Sequence, residues 1–176
     1  HILLFSSNPG SRIGMARFAT WLNQNRGVTT VCSMIKGDLE HTDFDIPARR
    51  AEMDQTLANA GLSAYSEVIV APDFGAGILS VAQASGFAGL QPNTIMLGWP
   101  TTTKNLVRLL TLMRAVARLE ISTIFARLPQ MEAPSSRRRI DLWWRGREDN
   151  GDMLLLLAYL LNLNPEWRQA HISLRT

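Results

Sequence analysis

The chain has 176 residues, 46% hydrophobic and 19% charged, which fits a folded domain with one core and excludes a globally disordered polypeptide. Sixteen of its eighteen basic residues are arginine, Lys36 and Lys104 being the lysines, and the formal charge is only +3. A single cysteine, Cys32, excludes an intrachain disulfide, and three scattered histidines (His1, His41, His171) have no zinc-ligand spacing.

In chain order, "ILLFSS" (2–7) reads as a buried strand and "NPGS" (8–11) as a turn. "RIGMARFATWLNQNRG" has helical apolar spacing with Gly27 as its stop, and "VTTVCSMIKG" (28–37) is β-branched strand, with Cys32 expected as a buried, inert thiol. Strand, helix and strand at this separation form a βαβ unit of a parallel sheet. After the polar "DLEHTDFDIP", Pro47 can open a helix that ends at Gly61. The pattern repeats with strand "SEVIVAPDF" (66–74), the small-residue helix 75–90, and strand "PNTIMLGWP" (92–100). The strongest amphipathic helix is 101–120, with Leu106, Leu109 or Leu110, Met113 and Val116 or Ala117 inward and Arg108, Arg114 and Arg118 largely outside that face. A strand at 122–129, a flexible loop at about 130–139, the strand "IDLWW" (140–144), an apolar helix and a closing strand near "HISLR" complete the chain. Strands apolar on both faces require helices on both sides, so the expected fold is a three-layer α/β domain with a mostly parallel sheet over 1–176.

Charge is unevenly spread. Residues 1–100 carry six basic and eight acidic groups, and residues 101–176 carry twelve and seven. A basic second half can face anionic lipid, nucleic acid or an acidic partner. No signal peptide is read, since the chain opens on "HILLF" without a basic lead-in. The most apolar run, residues 153–161, is far shorter than the ~20 residues a membrane helix needs. A strand starting at residue 2 and another at the last residues suggest a domain excised from a longer protein.

Three strand exits are candidate sites. "SSNPGSRIG" presents a glycine turn at a helix start, where backbone amides can receive an anion, but it matches neither GxGxxG nor GxxxxGK[ST], and an ordinary tight turn is preferred. Asp73 stands just beyond a strand, where open sheets place ligands and where a helix wants its N-cap; capping is preferred. "LGWPTTTK" offers Gly98, Trp99, three threonine hydroxyls and Lys104, for a phosphate or for capping. No GxSxG, HExxH or CxxC occurs, and the carboxylates are not spaced for acid/base pairing, so no catalytic residues are assigned. In "RRRIDLWWRG", alternation puts Ile140, Leu142 and Trp144 on one face and Asp141 and Trp143 on the other, with acids following at Glu148, Asp149 and Asp152. Both tryptophans are expected to be packed rather than to stack on bases, and no nucleic-acid partner is assigned.

"SGFAGLQPNTIMLGWP" (85–100) and "IDLWWRGREDNGDMLLLLAYLLNLNPEWRQAHISLR" (140–175) resemble the most strongly marked segments of the cytoplasmic C-terminal domain of cation–chloride cotransporters, especially the potassium–chloride branch. The matching residues are Asp141, Trp143, Trp144, Gly151, Asp152, Trp167 and Arg168, in order, and the likeness runs from the first strand to the last. The resemblance implies a fold similar to universal stress proteins. It also implies a regulatory domain attached to its own transmembrane domain, on the cytoplasmic side of the cell membrane, that holds a secondary transporter (a cation–chloride symporter or an amino acid permease) as a homodimer. In some relatives an adenine nucleotide binds at the ends of the first strands. The corresponding positions here are Ser6, Ser7, Asn8 and Gly10 of the first loop, with Gly98 and Trp99. Asp141, Trp143, Trp144, Leu156, Trp167 and Arg168 become expected core or interface residues, and the arginine-rich half is expected to lie toward anionic lipid head groups or the partner subunit. The alternatives are a stand-alone nucleotide sensor of the universal stress type and a small α/β enzyme.

Overall fold

A computed structural model describes residues 1–6, 13–24, 26–41, 43–86, 90–128, 138–144 and 148–175. In chain order the elements are β1 (Ile2–Ser6), α1 (Ile13–Asn23), β2 (Thr29–Lys36), a 3-10 turn (Leu39–His41), α2 (Ile46–Asn59), β3 (Tyr65–Ala71) and α3 (Phe74–Ala84). They are followed by β4 (Thr94–Gly98), α4 (Thr103–Ala117), β5 (Ser122–Ala126), β6 (Arg139–Trp143), α5 (Glu148–Asn162) and β7 (His171–Arg175).

Five strands form one all-parallel sheet in the order β3-β2-β1-β4-β5. β1 is central, pairing with β2 from Ile2↔Thr29 to Ser6↔Ser33 and with β4 from Ile2↔Thr94 to Phe5↔Leu97. Strand alternation sorts its side chains into two separate cores. Ile2, Leu4, Val31, Val68, Met96 and Ala126 pack with α1, α2, α5 and β6. Leu3, Phe5, Cys32, Met34, Ile95 and Leu97 pack with α3 and α4 on the opposite face. The three-layer α/β expectation therefore holds, with helices on both faces. Cys32 is fully buried, and its burial, with the charge of Glu67 on the paired strand, pushes the thiol up to about 12.

Local chemistry sets the helix ends. Asp45, Asp73 and Thr102 cap α2, α3 and α4, each side chain accepting from the backbone N–H three residues on (Ala48 at 2.9 Å, Ala76 at 3.0 Å, Asn105 at 3.3 Å). Pro47 sits in the first turn of α2, and Gly61 beyond its end takes φ +67°, as anticipated. The exit of α1 differs: Gln24, not Gly27, takes the left-handed conformation at φ 55°. In α4 the inward stripe is Leu109, Leu112 and Val116, so Leu110 is left 43% exposed.

β6 and β7 do not extend the main sheet but form a second, two-stranded parallel sheet, joined through α5 as a βαβ unit. Ile140 and Leu142 of β6 face the first core, while Ile172 and Leu174, their register partners on β7, remain 41% and 56% exposed. The unit is tied to α1 by buried Asn164, whose side-chain amide donates to Trp21 O (3.0 Å) and Leu161 O (3.0 Å), and by Gln24, whose amide donates to Leu160 O. No described helix is long and apolar enough to cross a membrane.

Gly77 lets α3 approach the sheet closely. A Cβ there would stand 2.1 Å from Met34 Cε, which can swing aside, and 2.9 Å from Ala71 Cβ, which moves only with its strand. Gly77→Ala is therefore expected to lower stability, because an overpacking cost of ~1–3 kcal/mol exceeds the ~1 kcal/mol gain in helix propensity. Urea unfolding checks this: a lower midpoint at unchanged slope is expected, and an unchanged or higher midpoint would mean that α3 slides freely on the sheet.

Candidate functional site

The direction of winding reverses between β1 and β4, and the carboxyl ends of the strands at such a point are where open α/β sheets receive ligands. A cleft of about 820 Å³ opens at this point and runs along the groove between α3 and α4. Its walls are largely apolar, with Phe5, Leu97 and Leu112 at the base and Phe74 and Trp99 near the mouth. The polar groups it gathers are Ser6, Lys36, Asp73, Thr101, Asn105 and Arg108. Trp99 is 49% exposed, its ring edge-on to Phe125 at 6.2 Å, and its backbone N–H donates to Ala126 O at 2.9 Å. The indole is thus packed on one side while about half of the residue meets solvent.

Ser6 and the adjacent Gly98 and Trp99, brought together from distant parts of the chain, all line this cleft. Ser7, Asn8 and Gly10 lie outside the described residues. Asp73 reaches the cleft but its Oδ1 is engaged as the α3 cap, as the sequence favoured. Lys36, Asn105 and Arg108 were not singled out as site residues. Lys36 ends β2 at the level of the other strand exits, a positional signal that was available, whereas Asn105 and Arg108 enter only through the way α4 lies on the sheet. Among the described residues Asp73 is the one carboxylate of the cleft, beside two cations, Lys36 and Arg108. This arrangement suits an anionic ligand with an apolar or aromatic body. Among the described residues it gathers no second carboxylate, imidazole or thiol beside Asp73. Ser33, register partner of Ser6, is fully buried, and its Oγ has no hydrogen-bond partner among the described residues.

The second group of candidate residues sits in the β6–α5–β7 unit. Trp144 is half-buried against Gly151, where a Cβ would come within 2.6–2.8 Å of the indole ring. Trp143, expected to be packed, is instead 71% exposed. Alternation assigned it correctly to the face opposite Ile140 and Leu142, but no described element covers that face. Asp141 lies beside it between two arginines, with Arg139 Nη2 at 3.2 Å and Arg175 Nε at 3.3 Å. Trp167 meets Trp21 edge to face at 5.5 Å, and the Arg138 guanidinium lies 4.7 Å above the Trp167 ring and 5.5 Å above that of Trp21. Two arginines of the "RRR" run thus have intramolecular partners, an indole pair for Arg138 and Asp141 for Arg139. Arg168 is exposed. Leu156, expected in the core or at an interface, is 50% exposed. Inward positions of α5 are held by Ala158 and Leu161, so Leu155, Leu156, Tyr159 and Leu163 form an apolar stripe on its solvent side. No family model matches the chain.

Desolvation alone would raise the Asp141 pKa, but hydrogen bonds and charge from Arg139 and Arg175 outweigh it and hold the carboxyl below its ordinary value. A folded-state pKa below the unfolded one contributes stability above ~3.9, and that contribution is lost as pH falls through the folded value. A carboxyl-carbon NMR titration should place the Asp141 midpoint below ~3.9 and move it upward in Arg175→Gln. A midpoint unaffected by that substitution would show that the pairing does not persist in solution.

Proposed function

We propose that the chain is a non-catalytic regulatory and dimerisation domain on the cytoplasmic side of a secondary transporter that moves cations with chloride, or amino acids. The observation that carries this reading is the stripe Leu155, Leu156, Tyr159 and Leu163, each 43–59% exposed, on α5 and the turn that follows it. Ordinary surface helices keep such residues inward, and a contiguous exposed row is what an assembly interface uses. The resemblance of 140–175 to the cotransporter domain supports the same assignment, since α5 with its flanking Trp144 and Trp167 is the centre of that segment. The cleft supplies the regulatory half, an adenine nucleotide being the ligand that its aromatic rim, its apolar base and the Lys36 and Arg108 cations would suit.

The switch-point cleft also favours a second reading, a stand-alone nucleotide sensor. Fractionating cells that make the natural gene product separates the two. A large band that stays in carbonate-washed membranes is expected from a transporter tail, and a soluble band near the 19.6 kDa of this chain would overturn the tether. Calorimetry with ATP, AMP and cyclic dinucleotides then reports on the cleft: saturable heat that disappears in Trp99→Ala is expected, and no heat with any of them would remove the nucleotide.

Leu156→Asp tests the interface. Because Leu156 is half-exposed, the fold should survive within ~0.5 kcal/mol by urea melt, while sedimentation velocity should show a dimer becoming a monomer. A wild-type chain that is monomeric at all concentrations, or a variant dimer of undiminished affinity, would sink the assignment of α5 to the contact.

A further inference from the structure

The two helix layers differ in charge. In sequence, α1, α2 and α5 together carry three arginines (Arg17, Arg49, Arg50) against five carboxylates. On the opposite side α3 has no charged residue, and α4 with its C-cap carries Lys104, Arg108, Arg114 and Arg118 and no carboxylate. Among the described residues none of these four cations has an ion pair or side-chain hydrogen bond. The carboxylates nearest in sequence stand at the margins of the layer: Asp73 is committed to its cap, and Glu120 follows the end of α4.

Apolar side chains share this basic face. With Leu109, Leu112 and Val116 turned inward, Val107 and Leu110 point the other way, 60% and 43% exposed, in the same turns as Lys104, Arg108 and Arg114. An exposed helix side that mixes cations with branched aliphatics, beside a neutral neighbouring helix, matches the requirements of a bilayer surface: anionic headgroups for the guanidinium groups and a shallow apolar layer for the aliphatics. Duplex nucleic acid would satisfy the cations but would leave Val107 and Leu110 facing phosphate and water.

We propose that the outer face of α4 is a docking surface for an anionic lipid bilayer, with Lys104, Arg114 and Arg118 on the headgroup phosphates and Val107 and Leu110 seated between them, Arg108 being turned toward the cleft. This narrows the lipid-facing expectation of the transporter reading to one helix, and its test does not depend on that reading. It is a property of the 176-residue chain itself, and it holds or fails whether or not a transmembrane segment adjoins it, because carbonate strips a peripheral contact of this kind and leaves an integral one.

The test is flotation of the chain with extruded vesicles of phosphatidylcholine alone, or of phosphatidylcholine with about one-third phosphatidylglycerol, at low and high salt. Saturable binding to the anionic vesicles at low salt, its loss at high salt, and no binding to the neutral ones are expected. The double variant Arg114→Gln/Arg118→Gln should weaken it roughly thirtyfold, whereas Arg26→Gln/Arg50→Gln, equal in net charge but distant from α4, should weaken it less than about threefold. Far-ultraviolet circular dichroism of both doubles checks that the fold is retained. Equal weakening by the two doubles would overturn the proposal by reducing the effect to net charge. Absence of flotation would overturn it, as would tighter binding to duplex DNA or polyglutamate than to the anionic vesicles.

Discussion

The whole architecture depends on the burial of β1. All five residues from Ile2 to Ser6 are buried, and the strand is hydrogen-bonded along both edges, to β2 and to β4. A parallel strand in that position can expose neither face, so one layer of helices must lie over Ile2 and Leu4 and another over Leu3 and Phe5. The chain meets this by winding outward through α1 and α2 on one side, then returning past β1 through α3 and α4 on the other. Once the winding reverses, α1 and α4, which follow β1 and β4, lie on opposite faces, and a gap at the carboxyl ends of those strands is a geometric consequence. The cleft containing Ser6, Gly98 and Trp99 is thus produced by the same constraint that stabilises the sheet.

The legible and illegible parts of the sequence divide along physical lines. Strands and caps are local: the doubly apolar runs around Leu4, Val31 and Met96 can only be buried strands, and Asp73 and Thr102 stand one residue before helical spacing begins. Cys32, set in such a run, could be placed in the core for the same reason. Alternation in "RIDLW" assigned Asp141 and Trp143 to one face, but period two says which residues share a side and is silent on whether anything covers it. That is why the exposure of Trp143 was missed. The separate pairing of β6 with β7 was hidden too, because strand order is a long-range property that no local pattern encodes. Arg108 illustrates a third kind of gap: its place outside the apolar stripe of α4 was readable, its arrival in the cleft was not.

The distribution of exposed apolar surface gives the domain two unlike sides. The stripe of α5 belongs to the layer where carboxylates outnumber arginines, and the cationic face of α4 to the layer across the sheet. Two contacts proposed here, one with a second subunit and one with lipid, therefore do not compete for the same surface. The cleft opens at the strand ends beside α4, where Val107 lines it and also belongs to the proposed membrane contact.

The tie between Asn164 and Trp21 has a kinetic corollary. Its partners are 143 residues apart, whereas β1 through β5 close among residues 2–126. The five-stranded sheet can therefore pair while residues 127–176 are still being synthesised, and the β6–α5–β7 unit can dock on α1 only afterwards. Native-state hydrogen exchange of such a molecule is expected to show two tiers, with amides of the central β1, β2 and β4 opening last and those of β6 and β7 earlier. A subunit interface built on α5 would then couple assembly to the slow end of folding, so that a chain becomes competent to pair only when its final unit has closed.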